Sequence, residues 1–232
     1  MTQNNYYRTD FLILIKEFAK EYSKKSAVPL EIIVVGGSAV VLKYDFRPSS
    51  EDFDVEFAFK DSYVKECINK VADKHEVKSN WINDSFLNTS SYSPKLKVVS
   101  KYFGTFYKVA VRIIDREYLC AMKLMSFRQH KHDKSDIVGI IADEKKNNTP
   151  IKIEDIKNAY MVLYNQDIPP NKLNFLQKIY SEKNIEKYYR EINEEETKIR
   201  ATLINEVKNG TVLNESNIES VVELIKKKIS NQ

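Results

Sequence analysis

Apolar residues follow two kinds of spacing along this chain, and the change between them divides it into two parts. Up to about residue 146, apolar runs typical of strands are mixed with runs at helical spacing. After the polar segment 147–150, only helical spacing is found. The pattern therefore predicts the α/β (α+β) class, with a mixed sheet flanked by helices over residues 1–146 and a helical region over residues 150–232.

The individual elements follow from the same spacing and from the residues that interrupt it. Strands are predicted near residues 30–35, 52–59, 96–103 and 106–114. Helices are predicted near residues 8–24, 38–43, 61–75, 116–129, 153–165, 171–180, 184–208 and 217–229, and one more is expected to begin near Ser135. Gly104 and Thr105 are expected to form the turn between the last two strands, because glycine is common in hairpin turns.

Composition and charge narrow the class of protein without naming a function. Hydrophobic residues make up 42% and charged residues 30%, which is typical of a folded chain, and the net charge of +4 permits a nucleic-acid partner without requiring one. No apolar run approaches the ~20 residues that span a bilayer, and the N-terminus lacks the features of a secretion signal. We therefore expect a cytoplasmic protein without membrane contact, in which Cys67 and Cys120 are buried free thiols.

The candidate chemistry is concentrated between residues 30 and 57. Gly36 and Gly37 follow an apolar run and precede Ser38, an arrangement that lets backbone N–H groups and a helix N-terminus approach phosphate oxygens. Asp52 and Asp54 alternate with apolar residues, so both carboxylates are expected on one face of a strand. Paired carboxylates suit Mg²⁺ (or Mn²⁺) bound together with substrate phosphates. A tight turn and a solvated strand edge are the structural alternatives.

The segment VVGGSAVVLKYDFRPSSEDFDVEF resembles the first motif of the nucleotidyltransferase superfamily, in which a glycine-serine turn precedes a paired-aspartate strand. The segment REYLCAMKLMSFRQHKHDKSDIVGII resembles the superfamily's later block, and WINDSF at 81–86 is similar to a stretch of uncharacterised bacterial relatives. The nearest likeness is to the AbiEii/AbiGii-like branch, which includes the MenT toxins of toxin–antitoxin pairs. The resemblance covers roughly residues 28–146.

The resemblance implies a role for individual residues of this chain. Gly36, Gly37 and Ser38 would hold a triphosphate, and Asp52 and Asp54 would bind metal and act in catalysis. Lys123 would neutralise phosphate charge, and Asp136 would complete the later block as a further catalytic residue. Arg47 and Arg128 are further candidates for binding the nucleotide, since a guanidinium offers a fork to phosphate.

Several assignments stay open at the level of sequence. A third metal-binding carboxylate would be Glu56 or Asp115, and Asp133 and Asp136 would equally serve as helix caps. His130 and His132 have no matching second cluster, so we expect solvated loop histidines. The mixed charges of helix 184–208, Glu196 and Arg200 among them, predict a solvated face. Aromatic residues are expected mostly in the core, and a platform for RNA bases is the alternative for Tyr92, Tyr102, Phe103 and Tyr107.

The function that these observations favour is transfer of a nucleoside monophosphate from a nucleoside triphosphate such as ATP, GTP or CTP to an acceptor hydroxyl. By resemblance, the acceptor would be a tRNA 3′ end and an antitoxin protein would be a partner. The alternatives are a non-catalytic nucleotide- or protein-binding module and an antibiotic-modifying nucleotidyltransferase. A basic groove beside Asp52 and Asp54 would favour tRNA, whereas an acidic cleft lined by aromatic residues would favour an antibiotic.

Overall fold

The computed structural model describes residues 5–214 and 217–230, without the side chain of Ser230. The strands are β1 (Tyr6–Tyr7), β2 (Leu30–Val34), β3 (Ser49–Ser50), β4 (Phe53–Phe57), β5 (Ile82–Asn83), β6 (Ser100–Phe106) and β7 (Val109–Ile114). The helices are α1 (Arg8–Lys25), α2 (Gly36–Lys43), α3 (Ser62–His75), α4 (Arg116–Ser126), α5 (Asp133–Lys146), α6 (Ile153–Tyr164), α7 (Pro170–Ser181), α8 (Ile185–Lys208) and α9 (Ile218–Ser230).

Strand β2 is central in a five-stranded mixed sheet of order β5-β4-β2-β7-β6. It pairs antiparallel with β4 on one side and parallel with β7 on the other. Its apolar residues are buried because both faces of a central strand are covered. On β4, burial alternates: Phe53, Val55 and Phe57 lie in the core, while Asp54 and Glu56 lie on the opposite, half-buried face. The mixed α/β class predicted from the sequence is confirmed.

The hairpin of β6 and β7 differs from the prediction in the position of its turn. Tyr107 and Lys108 connect the strands, and Tyr107 has a φ of 52°. Gly104, which was expected in the turn, lies within β6 next to an irregularity in the pairing with β7. A glycine in a strand often marks such a bulge, so the same residue type fitted two local structures and the prediction chose the wrong one.

Other boundaries also differ from those predicted: β6 begins at Ser100 and not near residue 96, and α4 ends at Ser126 and not near residue 129. Helix α2 begins at Gly36, so both glycines belong to its first turn and do not precede it. Helix α5 begins at Asp133, two residues before the predicted Ser135. The short strand β5 lies outside the strands predicted from the sequence, and in it Ile82 pairs with Phe53 and Asn83 pairs with Asp54.

The C-terminal helices share a core with the sheet. Helix α6 packs on α4, and α8 packs on α5. One hydrophobic cluster extends from Phe11 in α1 to Leu176 in α7 and Tyr188 in α8. A second, small cluster joins α9 to α8 through Ile199, Leu203, Val222 and Ile225. The predicted helical region is present, and its status as a separate domain stays a prediction.

A glycine in the middle of α5 brings the segment after α2 close to that helix. A methyl group at Gly139 would overlap the aromatic ring of Phe46. The hydroxyl of Tyr189 in α8 donates a hydrogen bond of 3.0 Å to the Phe46 carbonyl. Phe46 is therefore held between α5 and α8, and its position fixes the start of the loop that follows.

The remaining expectations from composition concern the cysteines and the membrane. Cys67 and Cys120 are both buried and free, as predicted. Across residues 5–214 and 217–230, every helix is too short or too polar to cross a bilayer.

Candidate functional site

A cleft of about 560 Å³ opens at the edge of the sheet where β2 ends and β4 begins. These two points meet because the strands are antiparallel, and the Val35 amide donates a 3.0 Å hydrogen bond to the Asp54 carbonyl. Gly36, Gly37, Asp52 and Asp54 all line the cleft. The structure thus brings together the two halves of the segment that the sequence singled out.

Gly36 lies directly against the carboxylate of Asp54. Its φ is +62°, a left-handed conformation that other residues adopt only with strain, and a Cβ there would lie 2.7 Å from Asp54 Oδ2. Gly37 is equally close to its neighbours, since a Cβ would lie 2.6 Å from Arg47 Nη2 and 2.7 Å from Ser50 Oγ. The two glycines allow a carboxylate and a guanidinium to approach the same turn of the backbone. We call this turn, formed by Gly36 and Gly37, the glycine corner.

Asp54 carries a strongly perturbed carboxyl group. Burial, and after it the charge of Asp52, raise the pKa of Asp54 to about 7. The positive charges of Lys123, Arg128 and Lys131 act in the opposite direction without cancelling the rise. Two carboxylates in this position repel each other unless a cation lies between them, so the donor set fits Mg²⁺, which takes hard oxygen ligands.

The candidates for a third metal-binding carboxylate lie elsewhere. Glu56 and Asp115 are not among the residues that line the cleft. Asp115 instead accepts the Arg116 amide at the start of α4 and pairs with Lys101 at 2.5 Å. Within the described part of the chain, no group of three or more His, Cys, Asp or Glu side chains is arranged to hold a metal ion. Asp52 and Asp54 are thus the carboxylate pair best placed for a metal.

Lys123 belongs to a buried network of charges behind the cleft. It is only 6% exposed, and its Nζ lies 2.7 Å from Asp136 Oδ2 and 3.1 Å from Asp133 Oδ1. Burial acts to lower the pKa of Lys123, but Asp136 and Asp133 outweigh it and raise the pKa. The ammonium is therefore charged and fixed in position.

The two aspartates of this network also hold arginines. Asp136 binds Arg47. Asp133 accepts the amide of Arg128 at 3.0 Å and its Nε at 2.9 Å, and the charges of Lys123 and Arg128 hold its pKa well below the usual range in spite of burial. The alternative in which Asp133 and Asp136 cap the helix is not what the structure shows, because both carboxylates serve cations.

Two predicted residues lie behind the lining of the cleft. Ser38 is completely buried, and its hydroxyl donates a 2.8 Å hydrogen bond to the carbonyl of Val35. Asp136 is also absent from the lining and acts on the cleft through Lys123 and Arg47. Lys123, Arg47 and Arg128 do line the cleft. The roles of all these residues stay predictions.

The structure corrects the expectation of solvated loop histidines for His130, which is buried, whereas His132 is half-buried. His130 is 8% exposed, and His132 lines the cleft. Burial, and next the charge of Arg47, lower the pKa of His132. The loop that carries both histidines is folded inward because Asp133 ties it to Lys123 and Arg128. Ion pairs of this kind leave no periodic signal in the sequence.

Several residues of the cleft were not singled out for the site from the sequence. Glu51 lies beside Asp52, Lys131 comes from the loop before α5, and Arg200 and Ile204 come from α8. Arg200 was expected on a solvated face, which is wrong. A wall of neutral polar residues also went unassigned, although WINDSF contains part of it. Its members are Asn80, Asn83, Ser85, Thr89 and Ser91.

The cleft therefore has two chemically different sides. One side is neutral and polar, and among the described residues of the lining Phe86 is the single Phe, Tyr or Trp. The exposed Tyr102, Phe103 and Tyr107 lie on the β6–β7 hairpin and do not reach the cleft. The other side carries five cationic residues, which are Arg47, Lys123, Arg128, Lys131 and Arg200. This asymmetry suits a ligand with a highly charged anionic end and a neutral polar end.

A mixed sheet with a glycine corner facing paired aspartates defines the nucleotidyltransferase class of folds. Residues 10–144 match the sequence model of DUF6036, described as a nucleotidyltransferase of unknown function. Because the match covers more than half of the chain, the protein belongs to this family. No curated protein and no solved structure gave a match.

Proposed function

We propose that this protein is a metal-dependent nucleotidyltransferase that moves a nucleoside monophosphate from a nucleoside triphosphate to an acceptor hydroxyl on RNA. The contact between Gly36 and Asp54 carries the proposal, since it places a helix N-terminus and a carboxylate pair at one corner of a single cleft. A tight turn alone would not require a glycine against a half-buried carboxylate.

The residues of the cleft have distinct roles in this reaction. The oxygen of the acceptor hydroxyl attacks the α-phosphorus and forms a new P–O bond, and the hydroxyl proton is released to water. The bond between the α-phosphorus and the oxygen that bridges to the β-phosphorus breaks, and pyrophosphate leaves. The cationic side stabilises the charge that builds up on the phosphates, with Arg47 against Gly37 and Lys123 linked to Arg47 through Asp136. Asp136 and Asp133 hold those cations in place before the substrate arrives.

Mg²⁺ fits the carboxylate pair and, when bound, would supply positive charge shared between Asp52, Asp54 and the phosphates. The raised pKa of Asp54 supports this assignment, because a buried carboxyl beside another one gains most from a nearby cation. The proposed pair of ligands matches the one or two carboxylates that Mg²⁺ commonly uses at phosphate sites.

The charge of the cleft favours RNA as the acceptor. Its lining contains five Lys and Arg residues and three acidic residues, Glu51, Asp52 and Asp54, and so is basic overall. An antibiotic-modifying enzyme would be expected to have an acidic, aromatic-lined acceptor cleft. Within this proposal, the acceptor is a tRNA 3′ end and the protein acts as a toxin that an antitoxin restrains, as in the AbiEii-like branch.

Calorimetry of nucleotide binding tests the site directly. The double variant Asp52→Asn with Asp54→Asn is expected to lose Mg²⁺-dependent binding of nucleoside triphosphates while remaining folded. Asp84→Asn is the matched control, because Asp84 pairs with Lys60 outside the cleft, and it should bind as the native chain does. Unchanged binding in the double variant would exclude the proposed site.

Transfer is tested with nucleoside triphosphates labelled at the α-phosphate, Mg²⁺ and total tRNA. The native chain should place label on tRNA, and the double aspartate variant should not. Tight triphosphate binding without label on any RNA would instead support the non-catalytic binding module. Label on an added aminoglycoside but not on tRNA would support the antibiotic-modifying alternative.

A further inference from the structure

One buried side chain of helix α8, Glu196, holds that helix against the start of α5. Glu196 is 3% exposed and accepts hydrogen bonds from the amides of Lys134 at 2.9 Å and Ser135 at 3.2 Å. These amides belong to the first turn of α5, whose N–H groups have no partner within the helix. A carboxylate at this point fixes both the rotation of α8 and its position along its axis.

Arg200 lies one helical turn beyond Glu196 on the same face of α8. Residues four apart share a face, so the contact of Glu196 with α5 places Arg200, and Ile204 one turn further, in the lining of the cleft. The Arg200 side chain is 24% exposed, and it pairs with Glu51, whose side chain is 41% exposed. The arginine is therefore more buried than its partner.

Arg200 shares this region of the cleft with Arg47. Both line the same cleft, and the positive charge of Arg47 adds to burial in lowering the pKa of Arg200. Arg47 in turn touches the glycine corner, where a Cβ at Gly37 would lie 2.6 Å from its Nη2. Two guanidinium groups that line one cleft repel each other and attract an anion of high charge.

We propose that Arg200 binds the β- and γ-phosphates of the nucleotide and the pyrophosphate that leaves. This deepens the proposed function and rests on it. Arg200 lies outside residues 10–144, so this contact belongs to the C-terminal helices of this chain and not to the matched segment. The carboxylate of Glu51 pairs with the Arg200 guanidinium in the absence of substrate, and the phosphates replace this carboxylate when the nucleotide binds.

Calorimetric titration of the full chain with Mg²⁺ and pyrophosphate tests the assignment. Arg200→Ala should weaken binding about tenfold or more, the size expected when hydrogen bonds to a charged group are lost. Arg200→Lys, which keeps the charge without the fork, should give a smaller loss. Binding of nucleoside monophosphates should change less than twofold, because the proposed contact lies beyond the α-phosphate.

Two further variants separate phosphate binding from a structural role. Glu51→Gln removes the partner of Arg200 and one negative charge from the cleft, so pyrophosphate should bind as tightly or more tightly. If Arg200 served only to hold Glu51, this variant would weaken binding as much as Arg200→Ala does. Lys198→Ala is the matched control, because Lys198 is exposed on the same helix and should leave binding unchanged.

The outcomes distinguish this proposal from the function on which it rests. A native chain that binds Mg²⁺ and each of ATP, GTP, CTP and UTP no better than the double aspartate variant would overturn both. A native chain that binds a triphosphate, together with an Arg200→Ala variant of equal affinity, would overturn the role of Arg200 alone. If Arg200→Ala does not fold, as judged by circular dichroism, the loss or retention of affinity in Arg200→Lys decides.

Discussion

At the scale of single residues, Gly36 is the position where backbone conformation and chemistry depend most directly on each other. Gly36→Ala should lower the free energy of unfolding by about 1–2 kcal/mol, the strain of a left-handed residue with a side chain, and should displace Asp54. Triphosphate binding should then fall by at least tenfold. Urea unfolding and calorimetry measure the two effects.

The matched control for Gly36 is Gly104. It lies in a strand without a positive φ, and a Cβ there would meet open space. Gly104→Ala should therefore change the free energy of unfolding by less than about 0.5 kcal/mol. Equal effects of the two substitutions would contradict the special role of the contact between Gly36 and Asp54.

The buried charges behind the cleft give a second prediction at this scale. Lys123→Met leaves Asp133 and Asp136 without their shared ammonium, and removing one partner of a buried ion pair costs about 3–5 kcal/mol. Chemical denaturation should show this loss. Lys187→Met removes an exposed pair with Glu191 and should cost less than about 0.5 kcal/mol, so similar losses in the two variants would argue against the network.

The site residues that could be identified from the sequence are those that lie close together along the chain. Gly36 and Asp54 were found because both flank strands that the apolar pattern reveals, and their meeting follows from strand direction. The ties of Asp136 to Arg47 and of Glu196 to the start of α5 join residues far apart in sequence. Side chains with such partners look the same in the sequence as solvated ones, which is why Arg200 was misplaced.

At the scale of elements, Glu196 joins α8 to α5, and its ionisation should make that junction sensitive to pH. Burial raises the pKa of Glu196 to about 8 from an ordinary value of 4.5, although bonds from Ser135 and Lys134 act to lower it. Between these pH values the folded chain therefore binds one more proton than the unfolded chain at this group. The contribution of Glu196 to stability is thus present below about pH 4.5 and is lost as the pH rises through about 8.

Glu196→Gln should remove this dependence. Between pH 5 and pH 8, the native chain should lose at least about 1 kcal/mol of unfolding free energy relative to the variant, the equivalent of one pKa unit. Urea titrations at both pH values measure the difference. The exposed neighbour serves as control: Glu195→Gln should leave the native pH slope intact. A parallel slope in Glu196→Gln would rule out Glu196 as the titrating group.

Element prediction succeeded where apolar spacing is long and regular. The helices from α6 to α9 were placed within a few residues, because each buries a stripe of apolar side chains. Strand β5 was missed because two residues carry no periodicity, and the turn after β6 was misplaced because a bulge absorbed the glycine. Short pairings of this kind depend on the neighbouring strand, which local sequence does not reveal.

At the scale of the whole molecule, the C-terminal helices should be required for the fold as well as the site. A chain that ends at residue 149 loses α6, with the buried Ile156 and Tyr160, and loses the carboxylate that caps α5. We expect this fragment to unfold without a cooperative transition. A chain that ends at residue 211 lacks α9 and the segment before it, and so loses the α9 side chains of the small cluster; it should keep a cooperative transition. Near-ultraviolet circular dichroism during urea titration measures both.

An independently stable fragment 1–149 would instead support the predicted division into two domains. Its cleft would then lack Arg200 and Ile204. Loss of pyrophosphate affinity in such a folded fragment, with the glycine corner intact, would separate the contribution of the helical region to the cleft from its contribution to folding.

The contact between Gly139 and Phe46 has a consequence for how such a site can vary over evolution. Any side chain at position 139 would push the Phe46 ring outward and carry the adjoining Arg47 away from Gly37. Gly139 has no charge and no functional group, yet it constrains where the Arg47 guanidinium can bind an anion. A comparison of related sequences that considers only ionisable residues would overlook Gly139, although a single methyl group added at this position would change the shape of the cleft.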